Sequence, residues 1–261
     1  MSDIKNILAK LLEKKMSIEE AERLLRANHV EEVGDLAKLD IFRKIRTGTP
    51  EVIFAQNKEP EMVIEITKKF LQSKQFAIIS RYNEDQKILI DKTFEKAENY
   101  DIDINDLGKI LVIKEKSYEF PKKGGIVGII TAGSSDIPTA VEAEVIAEAM
   151  GCKVITTYDV GIAGIHRIFA PLSEMIKKGV HIIIVCAGME GTLPGLVAAL
   201  VDVPVIGVPI SSGYGMGEKG KGALITMLQS CSPGLLVVNI DNGFGAGASA
   251  GIIANKISEK F

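Results

Sequence analysis

Five short segments hold most of the residues able to do chemistry, and each follows an apolar run. Thr131-Ala-Gly-Ser-Ser-Asp-Ile-Pro138 presents Ser134, Ser135 and Asp136 beside Gly133. Hydroxyls, a carboxylate and free amides there suit a phosphate or a ribose; the same residues would also make a simple helix cap. Tyr158-Asp-Val-Gly-Ile-Ala-Gly-Ile-His-Arg167 sets His166, a proton carrier near neutral pH, beside Arg167, a fork for anions. Cys186-Ala-Gly-Met-Glu-Gly-Thr-Leu-Pro194 holds Glu190 between Gly188 and Gly191, where a carboxylate can approach a substrate and move protons. Gly215–Lys221 has the spacing of a phosphate-binding loop, but Gly222 stands where Ser or Thr must hold magnesium. A flexible loop with Lys219 and Lys221, suited to closing on an anion, remains. Gly243, Gly245 and Ala248 match a dinucleotide fingerprint that would need a further strand and an acidic residue about 20 positions on, so the match is expected to be a coincidence. Asn239, Asp241 and Asn242 are left as polar candidates.

Such residues must be carried by elements, and the apolar runs supply them. Ile126–Thr131, Val154–Thr157, His181–Cys186, Val205–Val208 and Leu235–Ile240 are short and β-branched, as strands buried on both faces are. Helical stretches alternate with them at Thr139–Met150, Gly164–Lys178, Leu193–Leu200, Gly222–Gln229 and Ala248–Lys260. This pattern predicts an α/β fold, a three-layer doubly wound parallel sheet over residues 124–261. Ligands in such domains sit beyond the carboxyl ends of the strands, where all five segments fall. Of 25 glycines, 21 lie from Gly125 onward, which places a boundary near Lys122–Gly124.

Residues 1–123 read as a smaller α+β region. The first 39 residues are expected to form a helical hairpin, with Ser17-Ile-Glu-Glu20 as a capping box and Leu24 and Leu25 facing its core. Arg43 and Arg46 would share a solvated face or, less simply, clamp an anion. Pro60–Lys74 is expected to be a helix, and Phe76–Ser80 and Leu111–Ile113 strands. Asp101-Ile-Asp-Ile-Asn105 begins like a calcium loop but lacks its glycine and its final glutamate, so it is read as a turn.

Composition narrows the class. Lys plus Arg total 31 against 34 Asp plus Glu, which argues against nucleic-acid or anionic-membrane binding through bulk charge. No apolar stretch is long enough to span a bilayer and the N-terminus lacks a signal core, so a cytoplasmic protein is expected. Three cysteines, without zinc-finger spacing, are expected to be reduced.

Together TAGSSD, YDVGIAGIHR, AGMEG, SSGYG and VVNIDNGFGAG, in this order, resemble the LarB family, carboxylase/hydrolases of nickel-pincer nucleotide cofactor biosynthesis. The N-terminal DIFRKIRTGTPEVIF resembles the same family, so the likeness covers most of the chain. Residues 124–261 also resemble the PurE family of carboxyaminoimidazole ribonucleotide mutases, through GSSD, His166-Arg167, LPG and VIGVP. Two features depart from the pattern: Cys186, where an apolar residue is expected, and the charged MGEKGKG. The resemblance implies carboxylation of the pyridinium ring of nicotinic acid adenine dinucleotide by bicarbonate or carbon dioxide. It implies also hydrolysis of the phosphoanhydride, before or after carboxylation, releasing AMP and a biscarboxylated mononucleotide. It further implies a homo-oligomer, by analogy with PurE octamers, and the small residues Gly245–Gly251 would permit close helix contacts. Magnesium would assist the hydrolysis, and no organic cofactor is implied.

A transient cysteine adduct would make the pyridinium ring nucleophilic. Position alone favours Cys186, at a strand's carboxyl end, while Cys152 opens a strand at the opposite end. The segment LQSCSPG instead resembles the family stretch that carries the nucleophile, which selects Cys231. Cys231 would end a helix, where the dipole disfavours a thiolate, so Arg167, Lys219 or Lys221 would have to offset it. Glu190 or Asp159 would take the ring proton and His166 assist. Ser134, Ser135, Asp136 and Arg167 would hold phosphate and ribose, with Gly188, Met189, Asn239, Asp241 and Asn242 as further substrate contacts. The rival expectations are a purine-pathway mutase needing no thiol and a noncatalytic nucleotide sensor.

Overall fold

A computed structural model of the chain describes residues 2–27, 30–33, 37–40, 43, 47–95 and 97–259. Helices α1 (Ser2–Leu12) and α2 (Ile18–Ala27) form the expected hairpin. The Ser17 hydroxyl accepts the Glu20 amide at 3.0 Å, as an N-cap should. The helical reading of the first 39 residues ends too late, because strand β1 (Val30–Val33) pairs antiparallel with β2 (Ala37–Asp40). The Leu25 and Arg46 side chains lie outside the described residues, and Arg43 packs over the Phe244 ring at 5.8 Å.

The N-terminal sheet contains β3 (Ile53–Phe54), β4 (Phe76–Ser80), β5 (Tyr100–Asn105) and β6 (Ile110–Glu115) in the order β3-β4-β6-β5. Helices α3 (Pro60–Ser73) and α4 (Glu84–Phe94) pack on one face, with Val63, Phe70 and Ile90 against Ala77, Ile79 and Ile113. The segment read as a turn at 101–105 is strand β5. Ile102 and Ile104 turn to the core while Asp101 and Asp103 are exposed, the period-two pattern of a half-buried strand. Helix α4 starts at a reciprocal cap, with Asn83 and Gln86 exchanging 2.9 Å side chain to amide bonds.

The second sheet is wholly parallel. It contains β7 (Ile126–Thr131), β8 (Lys153–Thr157), β9 (Ile182–Ala187), β10 (Val205–Pro209) and β11 (Leu235–Val237) in the order β11-β10-β9-β7-β8. Counted within this sheet the order is 2-1-3-4-5, that of flavodoxin-like folds, with the switch point between β7 and β9. Strand β9 shows why the apolar runs are continuous. Ile182, Ile184 and Cys186 face α5 (Ile137–Ala149) and α9 (Gly243–Ser258), whereas Ile183, Val185 and Ala187 face α6 (Phe169–Lys177), α7 (Leu193–Ala198) and α8 (Lys221–Leu228).

Helices α5 and α9 lie between the two sheets. Ala140, Ala143 and Ala147 of α5 and Ala246, Ala250 and Ala254 of α9 pack on the parallel sheet. Val141, Ile146, Ala149 and Ala248 pack on Phe76, Ile78, Ile110 and Val112 of the N-terminal sheet. A helix apolar on both sides is what two flanking sheets require. Helix α9 begins at Gly243 rather than at Ala248, because the Asn242 side chain accepts the Gly245 amide at 2.8 Å and caps it. The small residues expected to serve subunit contacts are used within the chain. A Cβ at Gly247 would lie 2.5 Å from the Ala143 carbonyl oxygen, and one at Gly251 2.7 Å from Met150 Sδ. Among the described residues no helix is long and apolar enough to cross a membrane.

Candidate active site

The carboxyl ends of β7, β8 and β9 open onto a cleft of about 380 Å³. Ser135, Asp136, Asp159, Arg167, Gly188, Met189 and Glu190 all line it, together with Thr192, Ser212 and Tyr214. Chain topology accounts for the convergence, since each segment follows a parallel strand and the strands end at one edge.

Asp136 anchors the cleft. It is 3% exposed, in a short helical turn (Ser134–Asp136) that leads into α5. Its Oδ2 accepts the Gly133 amide at 2.8 Å and its Oδ1 the Ser212 hydroxyl at 3.4 Å. Burial raises its pKa above the usual carboxylate range, and bonds from the Gly133 and Gly188 amides and from the Ser212 hydroxyl offset part of the rise. The Gly133 amide is thereby taken. The loop offers a ligand the Ser135 hydroxyl and a buried carboxylate, a set better matched to sugar hydroxyls or a proton than to phosphate. Ser212 also lies 3.3 Å from the Ser135 hydroxyl, which ties the β10 loop to the β7 loop.

Across the cleft, Arg167 Nη1 meets Asp159 Oδ2 at 3.0 Å. Both side chains are more than a third exposed, so the pair orients the guanidinium more than it stabilises the fold. The Asp159 amide donates to Thr131 Oγ1 at 3.0 Å. His166 and Arg167 sit on a tight turn (Ile162–Arg167) kinked at Gly164, ahead of α6 rather than inside it. Gly164 leaves room for the guanidinium, because a Cβ there would lie 2.7 Å from Arg167 Nε. Asp159, Met189 and Asp241 each adopt positive φ (56°, 45° and 56°) shortly after a strand. Such conformations persist where packing imposes them, and they gather at functional sites.

Several expected residues lie apart from the cleft lining. His166 and Ser134 are exposed beside it. Asn239 accepts the Ile240 amide at 2.9 Å, Asn242 caps α9, and Asp241 Oδ1 accepts the Ser211 amide at 2.9 Å. These three build the turn after β11. Ser212, Thr131 and Tyr214 were not singled out in the sequence, although Ser212 and Tyr214 stand within SSGYG.

The three thiols separate clearly. Cys186 points into the core between the sheet and α5 and α9, wholly buried. Burial, and secondarily the charges of Asp136, Glu142 and Asp241, drive its pKa far above the thiol range, so position at a strand end does not make it a nucleophile. Cys152 is buried before β8 and pushed up to about 11, also by burial, with its Sγ 3.4 Å from Asn255 Oδ1. Cys231 is exposed, in the loop after α8. It lines a groove of about 420 Å³ that shares Gly191 and Thr192 with the cleft. It stands beyond the end of α8 at Leu228 rather than on the helix.

Among the described residues no three His, Cys, Asp or Glu side chains converge as metal ligands. Asp136, the buried carboxylate, is already engaged by an amide and a hydroxyl.

A flavodoxin-like parallel sheet with a polar cleft at its switch point and a second, smaller sheet docked on its helices defines a PurE-like protein of two-domain form. Residues 126–260 match the AIR carboxylase family, and residues 30–115 match the LarB/PurE-like N-terminal domain. The chain belongs to the LarB family, with a PurE-like C-terminal domain. It is 49% identical over 245 residues to an uncharacterized protein of Methanocaldococcus jannaschii, covering 94% of each chain. It is 37% identical over 145 residues to the N5-carboxyaminoimidazole ribonucleotide mutase of Pyrococcus horikoshii, covering 52% of this chain and 77% of the relative. The mutase of Thermotoga maritima is 34% identical over 134 residues, covering 49% of this chain and 73% of its own.

Proposed function

We propose that this chain carboxylates the pyridinium ring of nicotinic acid adenine dinucleotide and hydrolyses its phosphoanhydride, releasing AMP and a biscarboxylated pyridinium mononucleotide. The exposure of Cys231 carries the reading: the one exposed thiol of the three lines a groove whose residues Gly191 and Thr192 also line the cleft. A mutase that merely moves a carboxyl group on an imidazole has no need of such a thiol.

The Cys231 thiolate adds to the ring, forming a C–S bond and discharging the pyridinium nitrogen. The resulting enamine is nucleophilic at the carbon meta to nitrogen, which bonds to the carbon of carbon dioxide. Glu190 or Asp159 then removes the proton from that ring carbon. The electron pair re-forms the aromatic ring as the C–S bond breaks and the thiolate leaves. Arg167 offers its guanidinium to phosphate or carboxylate, Ser135 and Asp136 meet ribose hydroxyls, and His166, beside the cleft, assists proton transfer. Lys219 and Lys221 close on the anionic substrate. Copies of the chain assemble into a homo-oligomer through exposed apolar side chains such as Phe169, Ile225 and Leu228, the octamer of PurE proteins being the working expectation.

The test is incubation of the protein with nicotinic acid adenine dinucleotide, bicarbonate and magnesium, with products followed by mass spectrometry. AMP and a mononucleotide heavier by one carboxyl group support the proposal. Turnover of carboxyaminoimidazole ribonucleotide instead, the reaction in the name of the relatives that match half of this chain, refutes it. Binding without turnover of either compound leaves the sensor reading.

A further inference from the structure

Arg81 carries a contact from the N-terminal domain to the cleft's supports. Arg81 follows β4 directly, with its backbone at φ 57° and its amide donating to the Lys109 carbonyl at 2.7 Å. Its guanidinium lies over the Phe54 ring at 5.0 Å, which fixes the plane of the fork. Nη2 donates to the carbonyl oxygen of Asp241, and Nε stands 3.5 Å from Glu142 Oε1. Glu142 is itself buried on α5, where it also accepts the Ser80 hydroxyl and the Phe244 amide.

From Asp241 the contacts continue to the cleft. The Asp241 amide donates to the Pro209 carbonyl at 2.9 Å, and its carboxylate accepts the Ser211 amide at 2.9 Å. Asp241 is also at positive φ, so its turn is a conformation that neighbours must hold. The next residue, Ser212, bonds Asp136 and Ser135. The route runs Arg81, Asp241, Ser211, Ser212, Asp136, through three hydrogen bonds and the Ser211–Ser212 peptide bond. Arg81 and Asp241 also line a separate cavity of about 370 Å³, so Arg81 is outside the cleft that holds the proposed chemistry.

We propose that Arg81 is a positioning residue, through which the N-terminal domain holds the turns after β10 and β11 and so sets Ser212 against Asp136. The proposal rests on the cleft being the reaction site, as argued above. It assigns the N-terminal domain a role in catalysis.

The test compares the unaltered full-length protein with Arg81→Met. Glu142 keeps the Ser80 and Phe244 donors in that variant but loses its cationic neighbour, so a lowered Tm is expected for Arg81→Met, and Arg81→Lys, which keeps a cation there, is measured beside it. Two measurements are made: hydrogen exchange at the Ser211 amide with β9 amides as the internal control, and kcat and KM for nicotinic acid adenine dinucleotide. The expected result is at least tenfold faster exchange at Ser211 with β9 unchanged. With it, kcat falls at least tenfold, KM stays within threefold, and Arg81→Lys recovers part of the loss. Unchanged exchange at Ser211 overturns the proposal, as does faster exchange with kcat intact. If the unaltered protein does not turn over this substrate, the functional reading fails, and exchange at Ser211 still decides the positioning. Should Arg81→Met not fold, Arg81→Lys carries the same measurements.

Discussion

Selective alkylation tests the nucleophile assignment most directly. The perturbation is a small excess of iodoacetamide at pH 8. An ordinary thiol of pKa about 8.5 is roughly one-quarter ionised there. Cys152, held at about 11, is ionised to about one part in a thousand, and only the thiolate reacts. Ionisation alone therefore slows Cys152 about 200-fold relative to an ordinary thiol, before its burial is counted. Cys186 is slower still, because it is 0% exposed within the sheet core and its thiol lies further above the ordinary range. Its labelling must wait for local opening. Cys231 is exposed on its groove and takes the first label. Peptide mass spectrometry follows the label while turnover is assayed on the same samples. Activity is expected to fall in proportion to Cys231 modification, with Cys231→Ser inactive at the start. Early labelling of Cys186 or Cys152 refutes the structural reasoning, and full activity with Cys231 fully modified refutes the covalent mechanism.

Three further outcomes are expected. Glu190→Gln should lower kcat by about 10²-fold or more with little change in substrate Kd, as loss of a general base does; steady-state kinetics with calorimetric binding checks it. Burial raises the Asp136 pKa, so the folded state binds its proton more tightly than the unfolded state. Its contribution to stability therefore falls as pH rises through the unfolded carboxylate value to the raised folded one, and is level above it. Urea midpoints between pH 3.5 and 7 should show this decline, and Asp136→Asn should flatten it. Gly247→Ala drives a Cβ to within 2.5 Å of the Ala143 carbonyl oxygen and parts α9 from α5. Such overpacking should cost about 1–3 kcal/mol, read as a lowered Tm in calorimetry.

Much of this protein was legible from sequence because its rules are local or periodic. The five β-branched runs separated by helical stretches define a parallel sheet, and chain connectivity alone sends the segments after β7, β8 and β9 to one edge. Asp136, Asp159, Arg167 and Glu190 are therefore selected by sequence position alone. The alternation of Asp101–Asn105 and the Asn83–Gln86 cap were equally local signals; the first was obscured by a partial calcium-loop likeness. Tertiary structure decided what depends on neighbours distant in the chain. Cys186 and Cys231 have the same thiol chemistry, and only packing buries one between a sheet and two helices while leaving the other on a groove. The glycines of α9 are small in any context, and only the approach of α5 shows that their space is taken within one chain. Arg81 reads as a surface arginine after a strand, yet it spans 160 residues to the Asp241 turn. Desolvation and long-range hydrogen bonding are set by which surfaces meet, and that follows from the packed fold rather than from residue type or spacing.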